Sequence, residues 1–197
     1  MLARRLVQLY GGLTLYGVSA SLILLSGLGN DPWDVFHQGL FRQTGIGTGW
    51  WVCIVGALVL LLWIPLKQRP GLGTVSNVIV IGVAVEAMLA AFDEATDPAT
   101  RVALLVSGIV LNGVATGAYI GARFGPGPRD GLMTGLAARG HSIRVVRTGI
   151  ELSVLVLGFL LGGTVGIGTL LYAVSIGPLA HVFVPAFTIA TPVAEPA

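Results

Sequence analysis

The sequence predicts an all-α membrane protein with six transmembrane helices, arranged as an inverted three-plus-three internal repeat in which each half also has a short non-spanning segment. Composition is the first reason, because 54% of the 197 residues are hydrophobic and only 10% are charged, whereas a soluble domain carries about 25% charged residues. The second is that apolar runs of near-spanning length, about 20 residues each, recur along the chain. The third is that two motifs of the first half return in the second half.

The apolar runs are continuous, which indicates helices, because barrel strands alternate apolar and polar residues and lipid excludes open strands. Since little polar sequence separates them, we expect one membrane domain over residues 1–197 and only a short polar tail after Phe187. The N-terminal run is longer than a signal-peptide core of roughly 7–15 residues, so we interpret it as a retained span. The predicted spans are residues 7–26, 50–66, 74–92, 102–122, 145–161 and 169–187.

Two motifs occur twice at nearly constant offset. Gly-x-x-Pro-x-Asp stands at 29–34 and again at 125–130, 96 positions later. Gly-aliphatic-Gly-Thr stands at 71–74 and again at 166–169, 95 positions later. Ordered matches of this kind indicate an internal duplication, with halves at about 4–92 and 100–187. Because each half contains three spans, the halves must cross the membrane in opposite orientations.

Each Pro-x-Asp copy begins a segment that is too short to span a bilayer, at residues 35–44 in the first half and 131–140 in the second. Proline in the first turn with aspartate two residues later suits a helix start, where a carboxylate meets free N–H groups. Asp34 and Asp130 are therefore helix caps or part of a substrate or proton site, and the two roles can coexist.

The distribution of basic residues predicts that both termini are cytoplasmic, in line with the positive-inside tendency of membrane proteins. Only Arg42 and Arg101 would then lie outside. Arg144 and Arg147, at the mouth of the fifth span, also offer bidentate recognition of an anionic solute. The nine basic residues that this orientation places inside are Arg4, Arg5, Lys67, Arg69, Arg123, Arg129, Arg139, Arg144 and Arg147.

Two carboxylates lie inside predicted spans, where an ionised group costs about 2.5–3.5 kcal/mol. Glu151 has a partner at helical spacing, because Arg147 precedes it by four residues; a structural ion pair and an anion or proton site both fit. The offset of the second motif places His181 at the position equivalent to Glu86. Glu86 and His181 are therefore candidates for proton coupling, although a histidine satisfied within the core is the plainer interpretation.

The order of these motifs resembles the YczE-type family of bacterial integral membrane proteins, which is similar to the broader YitT group. The resemblance covers nearly the whole chain, implies a protein of the bacterial cytoplasmic membrane and leaves the activity open. The motifs that carry it are Gly-x-x-Pro-x-Asp at 29–34, Pro-Gly-Leu-Gly-Thr at 70–74, Gly-Pro-x-Asp-x-Leu-Met at 127–133, Ser-Ile-Arg-x-x-Arg-x-x-x-Glu at 142–151 and Gly-x-Gly-Thr at 166–169.

Two functions fit these features. One is a small transporter or permease for a small polar or anionic solute, with proton coupling through Glu86 and His181 or through Glu151 as its open alternatives. The other is a noncatalytic membrane scaffold or accessory partner of a biosynthetic or secretory system. A transporter should gather polar groups around a central cavity, whereas a scaffold should have a dry core. The expected substrate contacts of the transporter are Asp34, Asp130, Arg144, Arg147 and Glu151.

Other functions find no support in the residues. Neither Gly-x-Ser-x-Gly nor His-Glu-x-x-His occurs, and the acidic group Asp93, Glu94 and Asp97 is a single copy on a predicted outer loop. We therefore expect no enzyme, no cofactor and no metal. The expected partners are the lipid bilayer and the solute, without nucleic acid, and a homodimer stays open.

Cysteine labelling of intact cells tests the orientation in a Cys53→Ser background. Thr96→Cys lies in the predicted outer loop and should react with a membrane-impermeant maleimide. Arg139→Cys should react only after the membrane is permeabilised. Labelling of Arg139→Cys in intact cells would reverse the topology and move the arginine cluster to the outer face.

Overall fold

The structure, a computed structural model, describes residues 1–189, and all regular secondary structure in that range is helical. The short polar tail predicted after Phe187 lies mostly outside the described residues. Eight helices follow one another: α1 Leu2–Ser26, α2 Pro32–Thr44, α3 Thr48–Leu66, α4 Leu72–Ala91, α5 Pro98–Gly121, α6 Pro128–Ala137, α7 Ile143–Leu160 and α8 Ile167–Phe187.

Five of the described helices, α1, α3, α4, α5 and α8, are long and apolar enough to cross a membrane. Helix α7 corresponds to the predicted span at 145–161, but its 18 residues include Arg144, Arg147 and Glu151. The all-helical, multi-pass class is therefore confirmed, whereas six spans and their inverted arrangement stay predictions.

Helices α2 and α6 are the short segments that follow the two Pro-x-Asp motifs, with 13 and 10 residues. Each has proline at its first position, where a missing N–H costs little. The side chain of Asp31 caps α2 by accepting hydrogen bonds from the backbone N–H groups of Trp33 and Asp34 at 2.9 and 3.2 Å. Helix α6 follows Gly127 and has no side-chain cap. The residue that caps α2 is thus Asp31 and not the Asp34 considered from the motif.

The segments before the short helices are held by the starts of two long helices. The carbonyl of Leu28, before α2, accepts a hydrogen bond from the N–H of Gly168 in α8 at 2.9 Å. The carbonyl of Phe124, before α6, accepts one from the N–H of Gly73 in α4, also at 2.9 Å. These contacts fix the connection before each short helix against the first turn of a long helix.

Glycine is required at one position in each of the two segments that precede the short helices. Gly29 and Gly125 both have a φ of +112°, which disfavours any residue with a side chain. A Cβ on Gly29 would stand 2.8 Å from Oγ1 of Thr169, and a Cβ on Gly125 would stand 2.8 Å from Oγ1 of Thr74. Both the backbone conformation and the close approach therefore exclude larger residues.

The core lies between α1 and its neighbours α4 and α5, where Leu9, Leu13, Ile81 and Val85 form part of one buried cluster.

An arginine near the start of α1 binds the C-terminal end of α5, and one near the start of α5 binds the C-terminal end of α1. Arg101 donates hydrogen bonds from Nε and Nη2 to the carbonyls of residues 26 and 27, both at 2.7 Å. Arg5 donates from the same atoms to the carbonyls of residues 122 and 123 at 3.0 and 2.9 Å. Carbonyls at a helix C-terminus have no partner within the helix and attract positive charge.

We expect Gly29→Ala and Gly125→Ala each to lower the free energy of unfolding by about 1–3 kcal/mol, because a side chain at this φ is strained, with the collision adding to the loss. Thermal unfolding in detergent measures the effect. Gly149→Ala is the matched control, since nothing lies within 4 Å of a Cβ added to Gly149 in α7. A loss no larger than that of the control at both positions would contradict the requirement for glycine.

Candidate functional site

A cavity of about 480 Å³ lies at the centre of the helices. All eight helices contribute to its wall, and the starts of both α2 and α6 face it. The apolar part of the wall comes largely from α3 and α8. Six charged residues line the cavity: Asp31, Asp34, Arg129, Asp130, Arg147 and Glu151.

Arg129, the second residue of α6, sits against the start of α2. Its Nη1 lies 3.8 Å from Oδ1 of Asp31, and its Nη2 lies 3.9 Å from Oδ1 of Asp34. The guanidinium carbon is 4.8 Å from the centre of the Trp33 ring, a distance at which a cation and an aromatic face attract each other. One cation thus stands between two carboxylates, at distances that are long for hydrogen bonds.

Asp31 lies in the connection between α1 and α2, outside the spanning helices. Burial and, after it, the charge of Asp34 raise the pKa of the Asp31 carboxyl to about 7, while Arg129 acts in the opposite direction. Tyr16 from α1 is a further neighbour of this charged group. The Asp31 carboxyl can therefore take up or release a proton near neutral pH.

His37 and Trp33, both in α2, carry the cavity's unpaired polar atoms. Burial and then the charge of Arg129 lower the pKa of His37 well below its ordinary value, so the ring is neutral at pH 7. Its Nδ1 lies 3.1 Å from Oδ1 of Asp34, and because a carboxylate only accepts, Nδ1 carries the proton and Nε2 is an acceptor. Nε2 of His37 and Nε1 of Trp33 are buried without a hydrogen-bond partner in the described part of the chain.

Polar groups from three helices converge at the start of α6. The hydroxyl of Tyr119 donates a hydrogen bond to Oδ2 of Asp130 at 3.1 Å. Oδ2 of Asp130, the Tyr119 hydroxyl and Nδ2 of Asn77 lie 3.4, 3.4 and 3.5 Å from the point where a Cβ on Gly127 would stand. Because residue 127 is a glycine, no side chain of its own fills the space between these three groups.

The aromatic wall is held by hydrogen bonds and ring contacts. The Tyr172 hydroxyl donates to Oδ1 of Asn112 at 3.0 Å, and Nδ2 of Asn112 donates to the hydroxyl of Ser19 at 2.9 Å. The rings of Tyr16 and Tyr119 meet edge to face, with centroids 6.0 Å apart. Asn112 does not line the cavity itself and instead holds the Tyr172 side chain in place.

The structure brings four of the five predicted substrate contacts to one cavity, namely Asp34, Asp130, Arg147 and Glu151. Arg144 is exposed and does not line it. Nε of Arg147 donates to Oε1 of Glu151 at 2.9 Å, with 56% and 34% of the two side chains exposed. The pair is therefore a half-exposed contact in the cavity wall and not a fully buried ion pair.

Glu86 and His181 lie elsewhere. Oε2 of Glu86 accepts a hydrogen bond from the N–H of Gly49 at 3.0 Å, so this carboxylate serves the first turn of α3. His181 is exposed on α8, and neither residue lines the cavity. The repeat offset aligns the two residues and makes them candidates for proton coupling, but alignment of two repeat positions does not place them in contact.

Sequence analysis missed several residues of the site. Asp31 stands directly before Pro32, the position of a helix cap, and His37 follows Asp34 by three residues, so both carried a local signal. Arg129 was counted only with the basic residues of a predicted inner loop. The tyrosines at 16, 119 and 172 carried no local signal, because only the packing of α1, α5 and α8 brings them together.

Comparisons with known proteins agree with the membrane class. Residues 3–185 match a family described as "Family of unknown function (DUF6198)". An uncharacterized protein of Haemophilus influenzae is 44% identical over 172 residues, which cover 87% of this chain and 79% of that protein. The uncharacterized membrane protein YczE of Bacillus subtilis is 31% identical over 179 residues, covering 89% of this chain and 83% of YczE. The uncharacterized protein YyaS of the same organism is 30% identical over 184 residues, covering 89% and 90%. No solved structure matches the chain at a significant level.

The raised pKa of Asp31 predicts that stability falls as the pH rises. The folded protein keeps a proton on Asp31 at pH values where a carboxyl with the ordinary pKa of 3.8 has lost it. This contribution is complete below the ordinary pKa and is lost as the pH passes through the folded value. We expect the melting temperature in detergent to fall between about pH 4 and pH 7, the ordinary and the folded pKa of Asp31, and the melting temperature of the Asp31→Asn variant to fall less.

The exposed Asp93 provides the control, because Asp93→Asn should keep the wild-type slope. Asparagine is also a good helix cap, so Asp31→Asn keeps a capping group at the start of α2. Identical slopes in wild type and Asp31→Asn would show that Asp31 does not titrate in this range.

Proposed function

This chain belongs to the YczE-type family of membrane proteins, described as a family of unknown function (DUF6198), and from that premise we propose that it is a small transporter or permease for a small polar solute. The observation that carries the proposal is the central cavity, where charged residues of both Pro-x-Asp motifs meet. Charged groups within a membrane protein are costly and mark substrate or ion pathways. The alternative, a scaffold with a dry core, has no use for such a cavity.

The proposal includes an inverted repeat, with the halves at about 4–92 and 100–187 related by a two-fold axis in the membrane plane. Supporting it, Gly29 and Gly125 share one backbone conformation and contact Thr169 and Thr74 in the same way. Arg5 and Arg101 likewise bind equivalent carbonyls at the ends of α5 and α1. Transporters built in this way bind their substrate near the midplane, at the interface of the repeats.

In this arrangement α7 is the sixth span. Its charged residues Arg147 and Glu151 line the cavity, and a polar residue is tolerated in a span when it faces a cavity or a partner. Both termini then lie on one side, and the distribution of lysine and arginine favours the cytoplasm of a bacterial cell.

Movement between the halves would act on the contact of Arg129 with α2. Arg129 belongs to the second half, whereas Asp31 and Asp34 belong to the first, and the distances of 3.8 and 3.9 Å leave the contact loose. A proton on Asp31 removes one of the two negative charges that hold Arg129. We therefore assign proton coupling to Asp31 in place of Glu86 and His181.

Thermal unfolding of the purified protein with single solutes tests the proposal, followed by uptake into proteoliposomes. The panel contains small amines, amino acids, carboxylates, phosphate and sugars. We expect at least one class to raise the melting temperature of wild type and of the control Asp93→Asn. Asp34→Asn and Asp130→Asn should lose that response and the uptake.

The melting temperature of each variant without solute shows whether it is folded. If no solute stabilises the wild type, or if folded Asp34→Asn and Asp130→Asn respond and transport like wild type, the transporter proposal fails. Failure would favour the scaffold, whose partner could then be sought by crosslinking.

A further inference from the structure

We propose that the solute is a small zwitterion of the α-amino acid type, bound with its carboxylate at the start of α6 and its ammonium group beside Asp130. The inference rests on the proposed function, because it names the solute class for the same cavity. It is carried by a difference between two equivalent places in the chain.

The start of α2 is complete within the protein. The carboxylate of Asp31 accepts hydrogen bonds from the first backbone N–H groups of the helix. The guanidinium of Arg129 then stands between that carboxylate and Asp34. The start of α2 therefore has four parts in a row: the helix start, a capping carboxylate, a cation and a second carboxylate.

The start of α6 lacks two of these four parts. Gly127 takes the place of Asp31, 96 positions later, so no side chain caps the helix. Asp130 takes the place of Asp34, but none of the ion pairs among the described residues includes Asp130. A carboxylate and a cation are missing, and an α-amino acid carries both on neighbouring atoms.

The place for the carboxylate lies beside Gly127. The first N–H groups of a helix and its positive dipole end favour an anion, and α6 is long enough, at 10 residues, to provide them. Nδ2 of Asn77, 3.5 Å from the Cβ position of residue 127, adds a side-chain donor from α4. Oδ2 of Asp130 borders the same space at 3.4 Å, so a carboxylate bound there needs a positive charge beside it. The missing side chain of Gly127 leaves the room that the carboxylate needs.

The place for the ammonium group lies against Asp130 and the aromatic wall. Tyr119 donates to one oxygen of Asp130, and a carboxylate has lone pairs left on both oxygens for a cationic donor. The neighbouring rings of Tyr16 and Tyr119 add faces that attract a cation. The start of α6 therefore offers a positive and a negative subsite side by side.

A second observation in the same cavity calls for a polar occupant. Nε1 of Trp33 is a donor without an acceptor, and Nε2 of His37 is an acceptor without a donor. Both side chains are at least nine-tenths buried and line the cavity. Together these atoms call for a solute that can both donate and accept hydrogen bonds.

The charges of the cavity argue against a purely anionic solute. Asp31, Asp34 and Asp130 line its inner wall with Arg129 as the accompanying cation, and Arg147 is held by Glu151. A solute with a negative charge and no positive charge would enter a cavity that already has an excess of carboxylates. A simple amine would leave the first N–H groups of α6 without an acceptor.

The closing experiment measures the thermal stabilisation of the full-length protein in detergent by each of the standard L-amino acids, β-alanine and glycine betaine. For each amino acid that binds, the matched amine without its carboxylate and the matched acid without its amine are measured beside it. We expect the complete amino acid to bind about tenfold or more tightly than either fragment, because each fragment leaves buried polar groups unpaired.

Gly127→Ala tests the location. Residue 127 has a φ of −62°, and the added Cβ would meet its neighbours at 3.4 to 3.5 Å, an ordinary contact distance. The variant should therefore fold while its methyl group fills the space for the carboxylate, and we expect binding to weaken about tenfold or more. Gly149→Ala, in open space on α7, should bind like wild type, and Asp130→Asn should lose binding.

Each remaining result overturns the inference in a distinguishable way. If an amine or acid fragment binds as tightly as its amino acid, the site takes a single charge and the zwitterion is wrong. If amino acids bind equally to wild type and Gly127→Ala, the location is wrong. If only other solutes bind, the solute class fails while the transporter stands, and if nothing binds, both fail.

Discussion

Unpaired backbone groups where the chain leaves α1 and α5 are the constraint on which the rest of the structure depends. Lipid offers no hydrogen bonds, so each exposed carbonyl at these breaks must find a donor within the protein. The first N–H groups of a long helix are in the same position, because they too have no partner within the helix. These two sets of unpaired groups bond to each other, because the N–H of Gly168 donates to the carbonyl of Leu28 and the N–H of Gly73 donates to the carbonyl of Phe124. These bonds hold the connection before α2 against the start of α8 and the connection before α6 against the start of α4, and the starts of both short helices line the central cavity.

Once two helix starts face a common space, their electrostatics determine what can fill it. A helix start attracts negative charge, and the Pro-x-Asp motifs supply it with Asp34 and Asp130. Burial and, after it, repulsion by the nearby carboxylate of Asp34 raise the pKa of Asp31 to about 7. Arg129 offsets this repulsion from the opposite short helix and rests on Trp33. The charges of the cavity are therefore a consequence of how the backbone is satisfied, and they give it the means to bind a polar solute.

The sequence was informative where a structural signal is local. Hydropathy located the long helices, and proline and glycine located the breaks, so that the predicted span at 7–26 corresponds to α1 Leu2–Ser26 and the predicted segment at 131–140 overlaps α6 Pro128–Ala137. It was less informative where a role depends on contacts between distant helices. Glu86 has no partner at helical spacing in the sequence, and its hydrogen-bond donor, the N–H of Gly49, comes from a different helix, α3. Arg129 looked like one of several basic loop residues, and nothing local showed that it would lie beside Trp33. The number of spans also escapes hydropathy, because the tolerance of α7 for Arg147 depends on the cavity that it faces.

Divergence between the two motif copies carries more functional information than their identity. Identical copies would bring identical helix starts together, each with the same charges, and neither would have a reason to bind a solute. Here the positions of Asp31 and Trp33 correspond to Gly127 and Arg129, so the first copy supplies its own capping carboxylate and the second supplies the cation that balances it. Arg129, although it belongs to the second copy, lies beside the carboxylates of the first copy. The start of α6 has no side-chain cap. If the proposed function holds, Asp31 and Arg129 at the start of α2 indicate what the start of α6 would accept from a solute, namely a carboxylate with a positive charge beside it.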